Sequence, residues 1–260
     1  MKIPIYQIDS FTNQLFAGNP AAVCYLPHWL SDELLQNIAI ENNLAETGFF
    51  VKNNDHYEIR WFMPHGEIDL CGHATLASAY VIFNYLDTFR TEVRFSSKSG
   101  ILFAQKEADG SITLDFPSRP PSRIDIPEQI LNAFQGQPLS AYASRDLIVV
   151  FSTEEEIKAE DPIIEDLTGL PYVCVAITAK GDVADFVSRV FDSEANPPED
   201  PVTGSTHASL VPFWSNELGK TELTAKQLSK RGGDIKCRLE GDRVFLSGFA
   251  VPYLTGEIEI

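Results

Sequence analysis

Gly72-His73-Ala74-Thr75 opens a run of small and apolar residues, LASAYVIFNYL (76–86), and Gly204-Ser205-Thr206-His207 opens another, ASLVPFWSNEL (208–218). The two openings lie 204 − 72 = 132 positions apart. The same separation returns downstream. Ser97-Lys98-Ser99-Gly100 stands against Ser229-Lys230-Arg231-Gly232 (229 − 97 = 132), and Ile112-Thr113-Leu114 against Val244-Phe245-Leu246. Three matches at one offset point to an internal duplication. In each copy a helix is followed by extended stretches, with a turn at Asp109-Gly110 or Glu240-Gly241 between them.

The rest of the pattern fits two such halves. Alternation in IPIYQIDSF, AAVCYL, HYEIRWFM, TEVRFSS, GILFAQKE and SITLDFP predicts strands in the first half, and LIVVFS, YVCVAIT and DVADFVSRVF predict strands in the second. SDELLQNIAIENN reads as an amphipathic helix with Ser31 as N-cap and acidic residues in its first turn, and PEQILNAF as a second-half helix. The stretch 72–87 has almost no polar face, so it is expected to be wrapped by sheet rather than laid on a surface. The Pro-rich segment 117–122 is the natural junction. The expected architecture is α+β with pseudo-twofold symmetry: a half spanning 1–117, with 251–260 as its candidate completion, and a half spanning 118–250.

Composition removes whole classes of function. With 37 acidic against 20 basic residues, the formal charge is −17 and there is no basic patch for a phosphate backbone. Nucleic acid is therefore not an expected partner, and neither is a membrane, since no apolar run approaches the length of a span. The N-terminal MKIPIYQIDSF lacks the apolar core of a secretory signal. Four scattered cysteines without a CxxC pair or metal-like spacing favour a reduced, cytoplasmic setting and no metal site. A small anionic substrate remains the expected partner, which obliges so acidic a chain to create a local positive potential. The two glycine-opened helix starts can supply it, because each presents unpaired N–H groups and about half a positive charge.

Several residues stand where chemistry could use them. Glu46 follows a helix and begins a strand carrying Phe49, Phe50 and Val51, a setting that desolvates a carboxylate. His73 sits at the first helix start and can polarise an oxygen or shuttle a proton. Asp200 immediately precedes the second helix start, where it could also serve as a cap or turn residue. Cys71 stands just before the first glycine and Thr203 just before the second, again 132 apart, so a symmetric thiol pair is absent.

The motifs FAGNPAAV (16–23), NLAETGFF (43–50), IRWFMP (59–64), LCGHATLASA (70–79), EDPVTGSTHASL (199–210) and QLSKRGGDIK (227–236) resemble, in order and spacing, those of the phenazine-biosynthesis PhzF-like family. The resemblance covers almost the whole chain. It implies the diaminopimelate-epimerase-like fold, in which each of two similar halves wraps a barrel-like sheet round a central helix. It also implies an isomerase that needs neither cofactor nor metal and works in the cleft between the halves. In that chemistry a glutamate moves a proton between carbons of a dihydro-hydroxyanthranilate. The resemblance makes Glu46 the general base and then acid, has His73, Asp200 and Ser205 position the substrate and assist, and gives its carboxylate to the backbone at Gly72, Thr203 and Gly204. It is compatible with a homodimer. Two other readings stay open: a single-cysteine epimerase, racemase or dehydratase working through Cys71, and a non-catalytic protein that binds a metabolite or partner.

Overall fold

The computed structural model describes residues 1–195 and 197–260. Eighteen strands and five α-helices run in the order β1 (Lys2–Ser10), β2 (Asn19–Leu26), α1 (Asp32–Asn42), β3 (Glu46–Asn53), β4 (His56–Met63), β5 (Gly66–Ile68), α2 (Gly72–Val81), β6 (Glu92–Ser97), β7 (Gly100–Lys106), β8 (Ile112–Pro117) and β9 (Ser122–Ile124). There follow α3 (Glu128–Ala133), β10 (Ser140–Ala143), β11 (Leu147–Val150), α4 (Glu154–Ala159), β12 (Val175–Lys180), β13 (Phe186–Phe191), β14 (Glu199–Asp200), α5 (Gly204–Leu218), β15 (Glu222–Gln227), β16 (Gly233–Glu240), β17 (Arg243–Gly248) and β18 (Ala250–Glu259). The chain divides into two compact units, one of Met1–Asp115 with Ser247–Ile260, the other of Phe116–Leu246.

Each unit repeats one pairing rule. In the first, β2 runs parallel to β3, β3 antiparallel to β4, β4 antiparallel to β5 and parallel to β6, and β6 antiparallel to β7. In the second, β11, β12, β13, β14, β15 and β16 follow the same sequence of parallel and antiparallel pairings. Parallel neighbours cannot be joined by a tight turn, so each parallel pair needs a crossover. Helices supply them: α1 and α2 in the first unit, α4 and α5 in the second.

The two later crossovers are the central helices. In α2 every residue except Tyr80 is buried, and the helix packs on β1, β2, β3, β7 and β18. A helix without a polar face has nowhere to go but inside a sheet that curls around it. In α5 eleven residues are buried, among them Phe213 and Trp214, and the helix packs on β15 and β16. The sheath strands alternate accordingly, as in β15, whose Leu223, Ala225 and Gln227 face inward while Glu222, Thr224 and Lys226 face water. The fold is α+β, two similar halves each with a barrel-like sheet around its helix.

Local chemistry sets the element ends. Ser31 caps α1, its hydroxyl accepting from the Leu34 N–H, and Asn43 ends the helix in the left-handed region at φ 48°. The helix expected over 72–87 stops at Val81 and continues as a wider turn over Ile82–Leu86. The strand expected from Asp182 begins only at Phe186, because the Asp185 carboxylate accepts from Thr224 N and Lys220 instead of facing a sheet partner. Helix α4 was not expected from periodicity, yet Thr153 and Glu156 close a full capping box at its start.

One turn bears directly on the site. Gly18 adopts φ +66°, and a Cβ there would fall on the Ser10 carbonyl oxygen and the Thr12 side chain. Its neighbours Ser10 and Asn19 pair across β1 and β2. Gly110 has a similarly positive φ of +88° but open space around it. Replacing Gly110 with alanine should cost about 1 kcal/mol from backbone strain alone. Gly18→Ala, which adds a backbone clash to the strain, should cost about 3 kcal/mol. Urea denaturation midpoints of the two variants check this, and equal midpoints would contradict it.

Candidate active site

The start of α2 gathers groups that were distant in sequence. Cys71 is the residue before the helix, in extended conformation, and His73 lies in the first turn with 4% of its surface exposed. Two neighbouring strands clamp it. The Ser10 hydroxyl donates to the His73 carbonyl oxygen over 2.8 Å, and the Asn19 side-chain nitrogen lies 3.1 Å from His73 Nδ1. Ser10 and Asn19 are themselves fully buried. The Asn19 contact at Nδ1 fixes the ring so that Nε2 is the nitrogen turned to Glu46.

Nε2 faces Glu46. The Glu46 Oε2 atom is 3.0 Å away, in an ion-pair contact without the alignment of a full hydrogen bond, and the Glu46 side chain is 12% exposed. The first residue of β3 therefore delivers its carboxylate to the start of α2. On the other side of the ring, Cys71 Sγ is 3.6 Å from Nδ1 and 4.0 Å from Nε2.

The electrostatics of this trio follow from burial and mutual charge. Burial works against the His73 cation, but the Cys71 sulfur and the Glu46 carboxylate outweigh it and hold the imidazole pKa well above its usual value. The Cys71 thiol is pushed upward, first by burial and then by the negative charge of Glu46, with His73 opposing. Proximity to a helix start would have favoured thiolate; burial and Glu46 reverse that expectation. The glutamate oxygen, thiol sulfur and imidazole nitrogen all lie within 4.8 Å of one another, a donor set and span that a divalent ion such as zinc could also use.

In the second unit, Thr203 precedes α5 and is 7% exposed. Its hydroxyl donates to the Asp200 carboxylate. Fully buried Gln227 fixes the segment by accepting from the Thr203 N–H over 2.9 Å and donating to the Asp200 carbonyl over 2.7 Å. Ser205 accepts from Arg145 Nη2 at 2.9 Å. The equivalence of the helix starts extends to their internal bonding. Thr75 Oγ1 donates to the Cys71 carbonyl and His207 Nδ1 to the Thr203 carbonyl over 2.8 Å, and 207 − 75 is again 132. His207 is fully buried, which lowers its pKa to about 4, so it remains a neutral structural donor.

Of the residues singled out in the sequence, Glu46 and His73 meet with Cys71, Asp200 meets Thr203, and Gly72 and Gly204 open the two helices. Ser10, Asn19, Gln227 and Arg145 were missed as supporting groups. Asn19 carried a signal, as a polar residue inside an otherwise apolar strand; the partners of the others could be found only from the pairing of strands and turns.

The chain matches the model of the phenazine biosynthesis-like proteins, PhzC-PhzF, over residues 8–256. It is 44% identical to an uncharacterized isomerase of Pseudomonas aeruginosa across the full length of both chains. It also resembles the crystal structure of a PhzF-family phenazine biosynthesis protein from Enterococcus faecalis, with a TM-score of 0.96, 44% identity and complete coverage of both chains. A hydroxyproline epimerase from Agrobacterium vitis shares the fold at 10% identity, with a TM-score of 0.66 over 99% of this chain and 92% of that one. No helix among the described residues is long and apolar enough to cross a membrane. The sequence motifs, the repeated architecture and these matches agree: the chain belongs to the phenazine biosynthesis-like (PhzC-PhzF) family and is an enzyme of the isomerase class within it.

Proposed function

We propose that the protein moves a proton between two carbons of a small, carboxylate-bearing substrate, a cyclic dihydro-hydroxyanthranilate-like acid being the first candidate, with Glu46 as the proton carrier. The observation that carries the proposal is the Glu46–His73 contact of 3.0 Å at the start of α2. The carboxylate takes a proton from a carbon made acidic by neighbouring unsaturation, and the C–H electron pair spreads into the conjugated system. The carboxylic acid exchanges its proton with solvent and then delivers a proton to a second carbon. No electrons are gained or lost overall, so no redox partner is required. His73 stabilises the charged carboxylate through its Nε2 proton and holds it in place between transfers.

In this reading Asp200 and Ser205 position the substrate, and the backbone at Gly72, Thr203 and Gly204 receives its carboxylate. These roles come from the motif resemblance. Support for them is chemical: both helix starts present first-turn N–H groups, which favour an anion. One observation favours a second reading. Cys71 lies 3.6 Å from His73, so a one-thiol proton transfer with His73 as its partner is geometrically open. The raised thiol pKa argues against it, because little thiolate is present near neutrality.

Glu46→Gln preserves size while removing the base. It should lower turnover by about a thousandfold and abolish deuterium uptake from heavy water into the substrate, while ligand binding persists. Exchange at a near-normal rate in that variant would refute the mechanism. Cys71→Ala should retain activity within about tenfold; a loss beyond about a hundredfold, roughly 2.7 kcal/mol of barrier, would transfer the chemistry to the thiol. Iodoacetamide should label Cys71 slowly at neutral pH and faster as pH rises past 9, since its pKa is displaced upward from the ordinary thiol value of 9.0. Mass spectrometry of the Cys71 peptide gives the profile, and fast labelling at pH 7 would mean that the thiol is activated after all.

A further inference from the structure

An acidic chain that receives an anion needs a cationic group to read it, and two arginines of the second unit, Arg119 and Arg145, contact α5 and keep donors to spare. Ser144-Arg145-Asp146 forms the turn between β10 and β11. This turn is stapled to one face of α5: the Ser144 and Ser209 hydroxyls are 2.8 Å apart, and Arg145 donates to Ser205, four residues earlier on the helix. Fully buried Asp146 holds the Arg145 head through two hydrogen bonds, from Nε at 2.9 Å and Nη2 at 2.8 Å. Among the described residues, no hydrogen bond uses Arg145 Nη1, and 26% of the side chain is open to solvent. The guanidinium is thus fixed in orientation with one edge unused.

Arg119 lies against the same stretch of helix, its backbone N–H donating to the Ala208 carbonyl over 2.9 Å. Its Nη1 atom is buried and has no hydrogen-bond partner among the described residues. Burial, and then the like charge of Arg145, depress its pKa, with Asp146 opposing. Asp146 is committed to Arg145, and Asp200 accepts from the Thr203 hydroxyl. A buried cationic donor without a partner is costly unless an acceptor arrives. The start of α5 adds its own positive end beside Ser205.

We propose that Arg119 and Arg145 add cationic donors at Ser205 and the start of α5, strengthening there the reception of the same substrate carboxylate that the helix-start backbone takes up. With Nε and Nη2 held by Asp146 and Ser205, Arg145 offers the two N–H donors of Nη1 to a carboxylate, and Arg119 supplies the second charge. Both act as positioning residues, since neither is placed at the reacting carbons. The assignment rests on the proposed isomerase reading only for the carboxylate's belonging to the substrate.

Benzoate is the probe, titrated into the whole protein by calorimetry beside benzamide and inorganic phosphate. Benzoate should bind and benzamide should not. Arg119→Gln and Arg145→Lys, the latter keeping the charge beside buried Asp146 while losing the Nη1 donors, should each weaken benzoate binding about tenfold or more. Thermal melts should show both variants folded, and Arg145→Gln paired with Asp146→Asn serves if Arg145→Lys alone is not. Unchanged benzoate affinity in both folded variants, equal binding of benzamide, or no binding of benzoate to the wild type overturns the site. Tighter binding of phosphate than benzoate overturns the carboxylate assignment. Glu46→Gln separates the two proposals: full exchange activity in that variant together with arginine-dependent benzoate binding defeats the proton-transfer mechanism and leaves this site standing.

Discussion

A helix enclosed by sheet must satisfy its polar ends from within, because water cannot reach them. That constraint governs both halves of this protein. The carbonyl of the residue before each central helix accepts a side-chain hydrogen bond from four residues along, from Thr75 in one half and His207 in the other. The first-turn N–H groups have no acceptor within the helix itself. Placing a chemically versatile residue immediately before or after such a start puts it at the one spot in a dry helix where partial charge is uncompensated. The fold thus defines where reactivity can be located before any particular side chain is chosen.

The two starts then diverge. In the first half the helix start is reached by groups that can exchange a proton: carboxylate, imidazole and thiol, with Ser10 and Asn19 restricting the ring. In the second it is held by groups that fix geometry: a Thr203–Asp200 hydrogen bond locked by Gln227, and a guanidinium on Ser205. One frame gathers titratable groups and the other a hydrogen-bonded polar scaffold. A symmetric pair of thiols would have made the halves chemically equivalent; Thr203 in the second position makes them complementary instead.

Much of this was readable in the sequence, because duplication writes the same physical demands twice. The all-apolar face of 72–81 predicted enclosure, Ser31 predicted a cap, and alternation located β1, β2, β4 and β6. Short elements escaped. Helix α4 is six residues long and shows no apolar period, and only its Thr153–Glu156 capping signature could have revealed it. The candidate residues were legible because they sit in motifs: the structure brings Glu46 to His73 in the first unit, and Asp200 to Thr203 in the second. Arg145 was not, because its meaning depends on Asp146 being buried beside it and on a hairpin turn docking against α5, both tertiary facts. The reversal at Cys71 has the same origin: proximity to a helix start is local, whereas burial next to a carboxylate is not.

The final strand gives the two units different histories during synthesis. The second unit is one continuous segment, 116–246, and all its strands are available once that segment has left the ribosome. The first unit is not, because β18 pairs with β1 along nearly its whole length and also packs on α2. Until residues 247–260 emerge, β1 has an open edge and α2 has a gap in its sheath. The sheet of the first unit is therefore complete only once β18 has paired with β1. The first unit can be completed only after the second has had time to fold, and a nascent chain stopped short of residue 247 would leave the β1 edge open to chaperones.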